Sequence, residues 1–499
     1  MEAPLPKVSL GRSWNPFDAR RPIGAAVRDL RYHRGALPSL FAVGVVALGV
    51  AMVFGWVLWV AALAILVPTA LAVYQRPQRG VLLLAVLLPF DGLVKALGPA
   101  WLGGWKQVFI GALFAVTFLC PPEARSPGHR RLPGWVWAFG GLLGLGLLSA
   151  TTVDQTTALI GLRISYFSAF LAIAIWRCPL DRHERDQLVS IFMFMAIFTS
   201  LVGLWQQVVG HQYLANLGYV YDDQIRFTVG LTLRSFSTFD LPFSFGFYLM
   251  LAVLISLPMA LAEPNRLRSK IFFLALPLIA VAMLYSFVRG AMLGLAVGLL
   301  YLAFHRYKLL VFGIPLVLAA ALFIPSGATL TNAVFGASSL GARTTSWSDR
   351  FDLIADNPFG TGLGTTGAAA DKSALLKNEN PDTTFQPDNS YLKVTFELGV
   401  IGLWLLVMML VSMIIYTRSV ERRVSGIDVD FVVGCTAQLL ALAAGSLVAT
   451  YLELVPMDQL FYMMAAIVAT MAPDFEPGPA IRGPVRELTG PGSDRASRQ

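Results

Sequence analysis

Apolar segments long enough to cross a bilayer recur along this chain from Leu37 to Met471, and they constrain its fold more than any other feature. A helix needs roughly 17–25 mostly apolar residues to span the hydrocarbon core. Only 14% of the residues are charged, whereas soluble domains carry roughly 25%. The sequence therefore predicts an all-α fold and a polytopic integral membrane protein.

We expect fourteen membrane spans, whose ends are defined to within a few residues. They cover residues 37–55, 57–75, 80–97, 106–120, 134–150, 160–177, 188–209, 242–262, 271–287, 290–305, 309–325, 391–417, 429–450 and 458–472. The third is the weakest, because Asp91 and Lys95 interrupt its second half, and we interpret it as a short or partly re-entrant segment. The first run follows a basic stretch too long for a cleaved signal peptide, so it is interpreted as a permanent span.

The distribution of Lys and Arg predicts the orientation of these spans, since short cytoplasmic loops collect basic residues. With the N-terminus in the cytoplasm, 27 of the 38 Lys and Arg residues fall on the cytoplasmic side. The predicted division is a basic cytoplasmic tail at 1–36, spans 1–11 at 37–325, a large extracytoplasmic loop at 326–390, spans 12–14 at 391–472 and a disordered cytoplasmic tail at 473–499. The large loop has enough apolar residues to carry short helices against the membrane domain, so the outer face is the expected place of the chemistry.

Several other classes of protein do not fit the sequence. The three cysteines lie in or beside apolar runs, which excludes a disulfide framework and a CxxC metal pair. None of the five histidines falls in an HExxH pattern. The net charge of +8 does not call for a nucleic-acid partner, because basic loops are a requirement of membrane topology.

Arginines on the predicted outer side oppose the orientation bias and are candidates for binding an anion. Arg289 stands between two spans with almost no loop between them, where a cation costs about 2.5–3.5 kcal/mol and usually marks a functional site. Arg234 lies at the outer mouth of the eighth span. Arg343 and Arg350 flank Trp347 in the large loop. Guanidinium groups bind phosphate oxygens through paired hydrogen bonds, so these arginines could together hold a pyrophosphate; snorkelling or plain solvation is the alternative.

Two residues are candidates for a base that accepts a proton from a sugar hydroxyl. Asp388 precedes the twelfth span, where it and Asn389 also fit the N-cap of a helix. Its reference pKa of about 3.9 makes it a weak base unless burial raises that value. His211 is the one histidine that the predicted topology places outside, although a lone loop histidine is more often incidental.

A glycine-rich stretch at 360–367 invites a nucleotide-binding interpretation. It has no following Gly-Lys-Ser/Thr and no preceding strand of a βαβ unit, so it fails the P-loop and dinucleotide fingerprints. We interpret it as a flexible turn, with close approach of the backbone to a ligand as the alternative.

Four motifs occur in a fixed order on the outer side. They are Ser-x-x-Arg-Gly at 286–290, Arg-x-x-x-Trp-x-x-Arg at 343–350, Asn-Pro-x-Gly-x-Gly at 357–362 and Asn-x-Tyr-Leu at 389–392, with Arg-Ser-Phe-Ser-Thr-Phe upstream at 234–239. In this order and topology they resemble the superfamily of O-antigen ligases and polysaccharide polymerases. The resemblance covers roughly residues 226–403.

That resemblance implies a GT-C-like fold and an inverting, metal-independent glycosyltransferase without a cofactor. Its donor would be a glycan on undecaprenyl pyrophosphate and its acceptor a second glycan, within the lipid bilayer of the bacterial inner membrane. Arg289, with Arg234 and Arg343 nearby, would neutralise the leaving pyrophosphate. The other expected substrate-binding residues are Arg350, Trp347, Asn389 and Tyr391.

Two departures from the family pattern bear on the activity. Ligases carry His-Asn where this sequence has Asp388 and Asn389, which leaves Asp388, His211 or no residue as the base. Fourteen spans also exceed the twelve usual in ligases. Both departures favour a polymerase of O-antigen, capsule or exopolysaccharide repeats, with a chain-length regulator or a flippase as candidate partners.

Three alternatives stay open. The first is a ligase that transfers finished glycan to a lipid or protein acceptor. The second is a transporter of lipid-linked glycan, which would carry its charges near the midplane of the membrane. The third is a metal-dependent transferase that uses Asp222 and Asp223.

Overall fold

The computed structural model describes residues 57–98, 100–121, 132–216, 228–229, 232–311, 354, 357–379, 385–387 and 389–471. These residues form an almost entirely helical structure. Its α-helices are α1 (Val57–Gln75), α2 (Pro77–Leu87), α3 (Asp91–Leu97), α4 (Trp105–Leu119), α5 (Trp135–Ser149), α6 (Gln155–Tyr166), α7 (Ala169–Arg177), α8 (Arg182–Asn216), α9 (Pro242–Ala262), α10 (Leu267–Tyr285), α11 (Arg289–His305), α12 (Gly367–Leu376), α13 (Ser390–Glu421), α14 (Ile427–Gly445) and α15 (Met457–Met471).

Shorter elements connect these helices. Single 3-10 turns lie at Leu88–Phe90, Ala100–Gly104 and Tyr451–Glu453. Two-residue strands, β1 (Thr228–Val229) and β2 (Thr232–Leu233), pair as an antiparallel hairpin before α9. The all-α expectation therefore holds apart from this hairpin.

Six helical segments are long and apolar enough to cross a membrane among the described residues, and a seventh is formed if the bent pair α6–α7 is one span. The six are Leu102–Leu119, Arg182–Gly210, Pro242–Ala262, Leu267–Tyr285, Ser390–Glu421 and Ile427–Gly445. Four further predicted spans contain shorter apolar helices, at Leu66–Gln75, Trp135–Ser149, Arg289–His305 and Met457–Met471. The runs at 37–55 and 312–325 lie outside the described residues, so the number fourteen stays a prediction.

The third predicted span is a broken element. Helix α2 ends at Leu87, a 3-10 turn follows, and the seven-residue helix α3 begins at Asp91. Pro89 in this turn removes a backbone donor and ends the regular helix. The buried Asp91 carboxylate accepts hydrogen bonds from the Trp105 indole at 3.0 Å and from Lys106 at 2.6 Å. A short or re-entrant segment fits this geometry.

Helix α9 occupies the centre of the helical layer. Of its span, 89% of the residues are buried inside the protein, and it packs against α8, α10, α11 and α14. Helices α11 and α14 approach closely at Gly294, where an added Cβ would lie 2.8 Å from the Ala441 carbonyl oxygen. Small residues permit such close approach of helices within a membrane.

One set of connecting segments is joined by ion pairs on one side of the helical layer, here called the basic face. The pairs are Arg185–Asp428 at 3.0 Å, Arg266–Asp186 at 3.0 Å, Arg306–Asp430 at 2.9 Å and Arg76–Glu184 at 3.8 Å. A cavity of about 360 Å³ opens here, and its charged lining is largely paired. The charge pattern assigns all these segments to the cytoplasm, and that orientation stays a prediction.

A second set of segments meets at the other ends of the helices, here called the loop face. The contacts that join it include Lys95–Asp240 at 2.5 Å, Lys377–Asp154 at 2.6 Å and Lys393–Glu453 at 2.7 Å. The Ser235 amide also donates to the Tyr285 carbonyl oxygen at 2.8 Å. The segments that the sequence assigns to the outer side therefore pack together.

Candidate functional site at the loop face

Arg234 is held in a buried position next to the turn that precedes Arg289. Its Nε donates to the Ser286 carbonyl oxygen at 3.2 Å, and its Nη2 donates to the Phe287 carbonyl oxygen at 3.4 Å. The guanidinium also lies over the Phe243 ring, 4.8 Å from its centroid, an arrangement that favours a cation. Only 8% of Arg234 is exposed. The structure thus places Arg234 beside the turn before Arg289, although the two long helices α9 and α10 separate these arginines in the sequence.

The segment that carries Arg234 is bonded to α8. The side-chain oxygen of Gln206 accepts hydrogen bonds from the Phe236 amide at 3.2 Å and the Ser237 amide at 2.7 Å. Gln207 donates to the Leu233 carbonyl oxygen at 2.8 Å. Because buried backbone groups need partners, these side chains allow an irregular loop to run through the protein interior. The loop gives Arg234 a fixed position.

Arg289 begins helix α11, directly after a strained turn. Phe287 adopts φ +53°, a region that residues with a Cβ rarely occupy. The Ser286 hydroxyl donates to the Met283 carbonyl oxygen at 2.6 Å and accepts from the Val288 amide at 3.3 Å, and these bonds hold the turn. Since the positive end of a helix dipole lies at its N-terminus, α11 adds positive potential beside the two guanidinium groups.

The pKa of Arg234 is affected by the neighbouring charge of Arg289. Burial lowers the pKa of Arg234 to about 10, and the positive charge of Arg289 adds to this lowering. Desolvation and a like charge both disfavour the cation. An anion bound between the two arginines would offset the repulsion between them and so favour the charged form of Arg234. The arrangement is therefore suited to binding negative charge.

Several expected site residues cannot be placed. Arg343, Trp347, Arg350 and Asp388 lie outside the described residues, and so does the side chain of His211, whose backbone belongs to α8. Asp222 and Asp223 lie outside them as well. Their roles stay predictions.

The two remaining expected residues, Asn389 and Tyr391, have structural contacts. The Asn389 side chain caps α13 by accepting from the Tyr391 amide at 2.8 Å and the Leu392 amide at 3.2 Å. The sequence offered Asp388 and Asn389 for this cap, and the structure assigns it to Asn389. The Tyr391 hydroxyl donates to the Ala443 carbonyl oxygen at 2.9 Å. Substrate binding by either residue stays a prediction.

The glycine-rich stretch is ordered and is hydrogen-bonded to α13, so its interpretation as a flexible turn is wrong. Residues 357–367, which contain it, are here called the clasp. Gly362 donates its amide to the Glu397 carbonyl oxygen at 3.0 Å, and Val400 donates to the Pro358 carbonyl oxygen at 3.1 Å. Gly399, with φ +70°, kinks α13 at this contact. A Cβ on Gly399 would overlap the Pro358 carbonyl oxygen. Close backbone approach, rather than flexibility, requires the glycines here.

A buried charge cluster behind this clasp was missed by the sequence analysis. Lys393 lies 2.8 Å from Glu397 and 2.7 Å from Glu453, and all three side chains are at most 8% exposed. Glu397 accepts from the Thr366 amide and hydroxyl at 3.2 and 2.9 Å. Glu453 accepts from the Ala368 amide. The Lys393–Glu397 pair at i and i+4 inside an apolar run was the sequence signal for part of this cluster.

The position of this cluster indicates a structural role. Burial raises the pKa of Glu453 above its ordinary value, Lys393 opposes this rise, and Glu397 adds to it. The adjoining cavity of about 80 Å³ has room for only a few water molecules. Both carboxylates bind the N-terminal end of α12. The cluster therefore fastens α12 to α13 and to the 3-10 turn before α15.

No group of three His, Cys, Asp or Glu side chains that could hold a metal ion occurs among the described residues.

Comparison with known proteins gives one family. The model of the O-antigen ligase family matches residues 271–407. No curated protein matches the chain. The matched segment runs from α10 through Arg289, the large loop and the glycine-rich clasp into α13, whereas Arg234 and Glu453 lie outside it. Residues 271–407 of this chain are therefore similar to the O-antigen ligase family, which is consistent with the resemblance to the superfamily of O-antigen ligases and polysaccharide polymerases.

Proposed function

We propose that this protein is a polymerase of undecaprenyl-pyrophosphate-linked oligosaccharide repeats, which form O-antigen, capsule or exopolysaccharide. It acts as an inverting, metal-independent glycosyltransferase of the bacterial inner membrane. The reaction takes place at the loop face, which is the outer face of the membrane in this proposal. Both termini are in the cytoplasm.

The observation that carries this proposal is the adjacency of Arg234 and Arg289. Two like charges beside the N-terminus of α11 repel each other, and their placement is favourable when an anion lies between them. A pyrophosphate is such an anion, since arginine donates paired hydrogen bonds to phosphate oxygens. Phosphate binding at this point would stabilise the leaving group of a glycosyl transfer.

In the proposed reaction, an acceptor hydroxyl attacks the anomeric carbon of the donor from the side opposite the pyrophosphate. A new carbon–oxygen bond forms, the bond from the anomeric carbon to the phosphate oxygen breaks, and the pyrophosphate leaves with the electron pair. The hydroxyl proton passes to a base, for which Asp388 and His211 are the proposed candidates. Stabilisation of charge on the leaving group by fixed cations is usually the largest catalytic effect in such a site.

Transfer of finished glycan to a lipid or protein acceptor is the second candidate. The name of the matching family, O-antigen ligase, favours it. Polymerase and ligase share a donor and the leaving group, so Arg234 and Arg289 would have the same roles in both. The two activities differ in the acceptor.

The test uses the purified protein in lipid nanodiscs with a synthetic carrier-linked repeat unit, in buffer that contains EDTA. Electrophoresis of the released glycan is the readout. A ladder of lengths supports a metal-independent polymerase. A product found only after addition of a lipid or protein acceptor supports the ligase. Retention of the unreacted repeat under both conditions, by protein that remains folded, would overturn both proposals.

A further inference from the structure

The chain between α14 and α15 contacts the starts of two other helices on the loop face. It consists of the last turn of α14 and the residues after it, 443–451, and is here called the bridge. The bridge lies outside residues 271–407, the segment that matches the O-antigen ligase family. Its two contacts are nevertheless with the residues that directly follow Arg289 and Asn389.

On one side, the bridge holds Ser390, the first residue of α13. The Ser390 amide donates to the Ser446 carbonyl oxygen at 2.9 Å. The Ser390 hydroxyl donates to the Ala449 carbonyl oxygen at 2.9 Å and accepts from the Tyr451 amide at 3.1 Å. Ser390 is only 5% exposed, and a buried polar group that loses its partner is costly. The start of α13 is therefore fixed with respect to the bridge.

On its other side, the bridge packs against the start of α11. A Cβ built on Gly290, the residue after Arg289, would lie 2.9 Å from the Val448 side chain and 3.7 Å from the Gly445 carbonyl oxygen. A Cβ built on Gly445 would in turn lie 3.5 Å from the Gly290 carbonyl oxygen. Glycine at both positions permits this close approach of the two backbones. The first turn of α11 thus rests directly on the bridge.

An aromatic pair fills the space beside this contact. Phe247 of α9 lies close to both glycines, since its ring atoms would be 3.1 Å from a Cβ on Gly290 and 3.0 Å from a Cβ on Gly445. The Phe247 and Tyr451 rings meet edge to face with their centroids 5.0 Å apart, and both side chains are fully buried. Rings in a close-packed interior resist displacement. The bridge, α9 and the start of α11 are therefore packed as one unit.

Two successive residues of the bridge carry the two contacts. Gly445 packs on Gly290, and Ser446 accepts the hydrogen bond from Ser390. The start of α11, with Arg289, is thus joined to the start of α13 through a single peptide unit. The separation between these two helix starts consequently depends on the bridge.

We propose that the bridge is a positioning element for glycosyl transfer, in which Ser390 fixes the start of α13 at a set distance from Arg289. The start of α13 carries Asn389 and Tyr391, which are expected to bind substrate. This inference rests on the proposed function, because only a reaction between two bound substrates depends on that distance. It applies to a polymerase and to a ligase alike, since both bring an acceptor hydroxyl to a donor whose pyrophosphate lies at the arginines.

A distance of this kind affects the rate more than the binding. The acceptor hydroxyl has to approach the anomeric carbon from the side opposite the pyrophosphate, and a displacement of about 1 Å can cost about 10²-fold in rate. Binding of the pyrophosphate alone is assigned to Arg234 and Arg289. A change at Ser390 should therefore lower the rate and leave pyrophosphate affinity as it is.

The test compares Ser390→Ala with the matched variant Thr417→Ala, which also removes a buried hydroxyl from α13. The Thr417 hydroxyl donates within its own helix, to the Ile414 carbonyl oxygen at 3.0 Å. Ser390→Ala should lower the kcat of glycan extension by about 10–100-fold. Its Kd for undecaprenyl pyrophosphate without glycan, in phosphatidylcholine nanodiscs, should change by less than about threefold. Thr417→Ala should leave both values unchanged.

Hydrogen exchange provides a readout that does not depend on activity. Ser390→Ala should lower the protection of the Tyr451 amide, whereas Thr417→Ala should not. If Ser390→Ala fails to insert into the membrane, Ser390→Cys takes its place, because a thiol is a weaker hydrogen-bonding group. The expected pattern is the same, with a lower kcat and an unchanged Kd.

Two results would overturn this inference alone, while the wild type still makes glycan. One is a wild-type kcat in the Ser390 variant. The other is a Kd that rises in proportion to the fall in kcat, which would mean that the arginine site itself is disturbed. If the wild type gives neither a glycan ladder nor a ligated product, the proposed function fails and the inference fails with it.

Discussion

The Arg234 Nε donates to the Ser286 carbonyl oxygen at 3.2 Å, although the two residues are 52 positions apart in the sequence. This bond joins the loop before α9 to the turn before α11. It places the Arg234 guanidinium beside Arg289 and fixes both with respect to the helix N-terminus. The first prediction concerns this pair.

Arg289→Ala should lower the initial rate of polymerisation by about 10²–10³-fold, the usual effect of removing one group that stabilises developing negative charge. Arg234→Gln should have an effect of similar size, since it removes the neighbouring charge. The measurement is the rate of glycan extension in nanodiscs, with the amount of membrane-inserted protein as normalisation. Arg182→Gln, an exposed arginine on the basic face, should leave the rate unchanged. Near wild-type activity of Arg289→Ala would refute its assigned role.

Lys393→Met should reduce the free energy of unfolding by about 3–5 kcal/mol, because it leaves Glu397 and Glu453 buried without their cation. The triple variant with Glu397→Gln and Glu453→Gln should recover much of that loss. Thermal unfolding in detergent is the measurement. Lys377→Met, which breaks an exposed pair with Asp154, should change stability by less than about 1 kcal/mol. Equal effects of the two lysine variants would show that the buried cluster has no special role.

Gly399→Ala should detach the glycine-rich clasp from the kink of α13. The new Cβ would overlap the Pro358 carbonyl oxygen at a residue with φ +70°, and the backbone strain alone costs about 1–3 kcal/mol. Hydrogen exchange of residues 357–367 is the readout. Gly140→Ala is the matched control, because nothing lies within 4 Å of a Cβ there, and it should stabilise α5 by roughly 0.5–1 kcal/mol. Unchanged protection of the clasp in Gly399→Ala would contradict the description of this contact.

Asn389→Ser separates capping from substrate binding. Serine caps a helix about as well as asparagine does, whereas alanine costs about 0.5–2 kcal/mol. If Asn389 acts only as the cap, Asn389→Ser should keep both stability and polymerisation, and Asn389→Ala should lose stability. Loss of polymerisation in a stable Asn389→Ser protein would instead support the role of substrate ligand expected from the sequence. Parallel unfolding and activity measurements distinguish the two.

The attachment of α12 to α6 should resist acid. Hydrogen bonds from the Lys377 ammonium and the Thr157 amide lower the pKa of Asp154 to about 2 from an ordinary value of 3.8. Because the pKa is lower in the folded state, this stabilisation is fully present above about pH 4 and is lost as the pH falls towards 2. Hydrogen exchange of residues 367–376, corrected for the intrinsic pH dependence of exchange, should therefore show constant protection from pH 7 to pH 5. In Asp154→Asn, the protection should be lower and insensitive to pH in the acid range.

The sequence predicted the helical membrane fold, because a bilayer requires long apolar segments. The family resemblance, rather than hydropathy, implied that Arg234 lies near Arg289. The run at 80–97 shows the limit of the pattern. Hydropathy does not reveal that Pro89 breaks the helix or that Asp91 is buried against Lys106. Only the packing of α4 provides those partners.

The buried cluster of Lys393, Glu397 and Glu453 was missed for a different reason. Lys393 and Glu397 lie one helical turn apart, so their pairing could be predicted, but Glu453 comes from beyond the next long helix. Contacts of that range depend on how α13, α14 and the 3-10 turn pack. The glycine-rich stretch was misinterpreted for a similar reason. Glycine permits both flexibility and close packing, and only the presence of the Gly399 kink decides between them.

The ion pair between Lys393 and Glu453 also has a consequence for biogenesis. Ribosomes make the chain from the N-terminus, so α12 and Lys393 leave the ribosome before Glu453 has been synthesised. The anchor of α12 is therefore incomplete while α13 and α14 are inserted, and it closes only when the turn before α15 reaches the loop face. This part of the attachment of α12 would then form among the last steps of assembly, after its contacts with Thr157 and Asp154 of the earlier chain have become available.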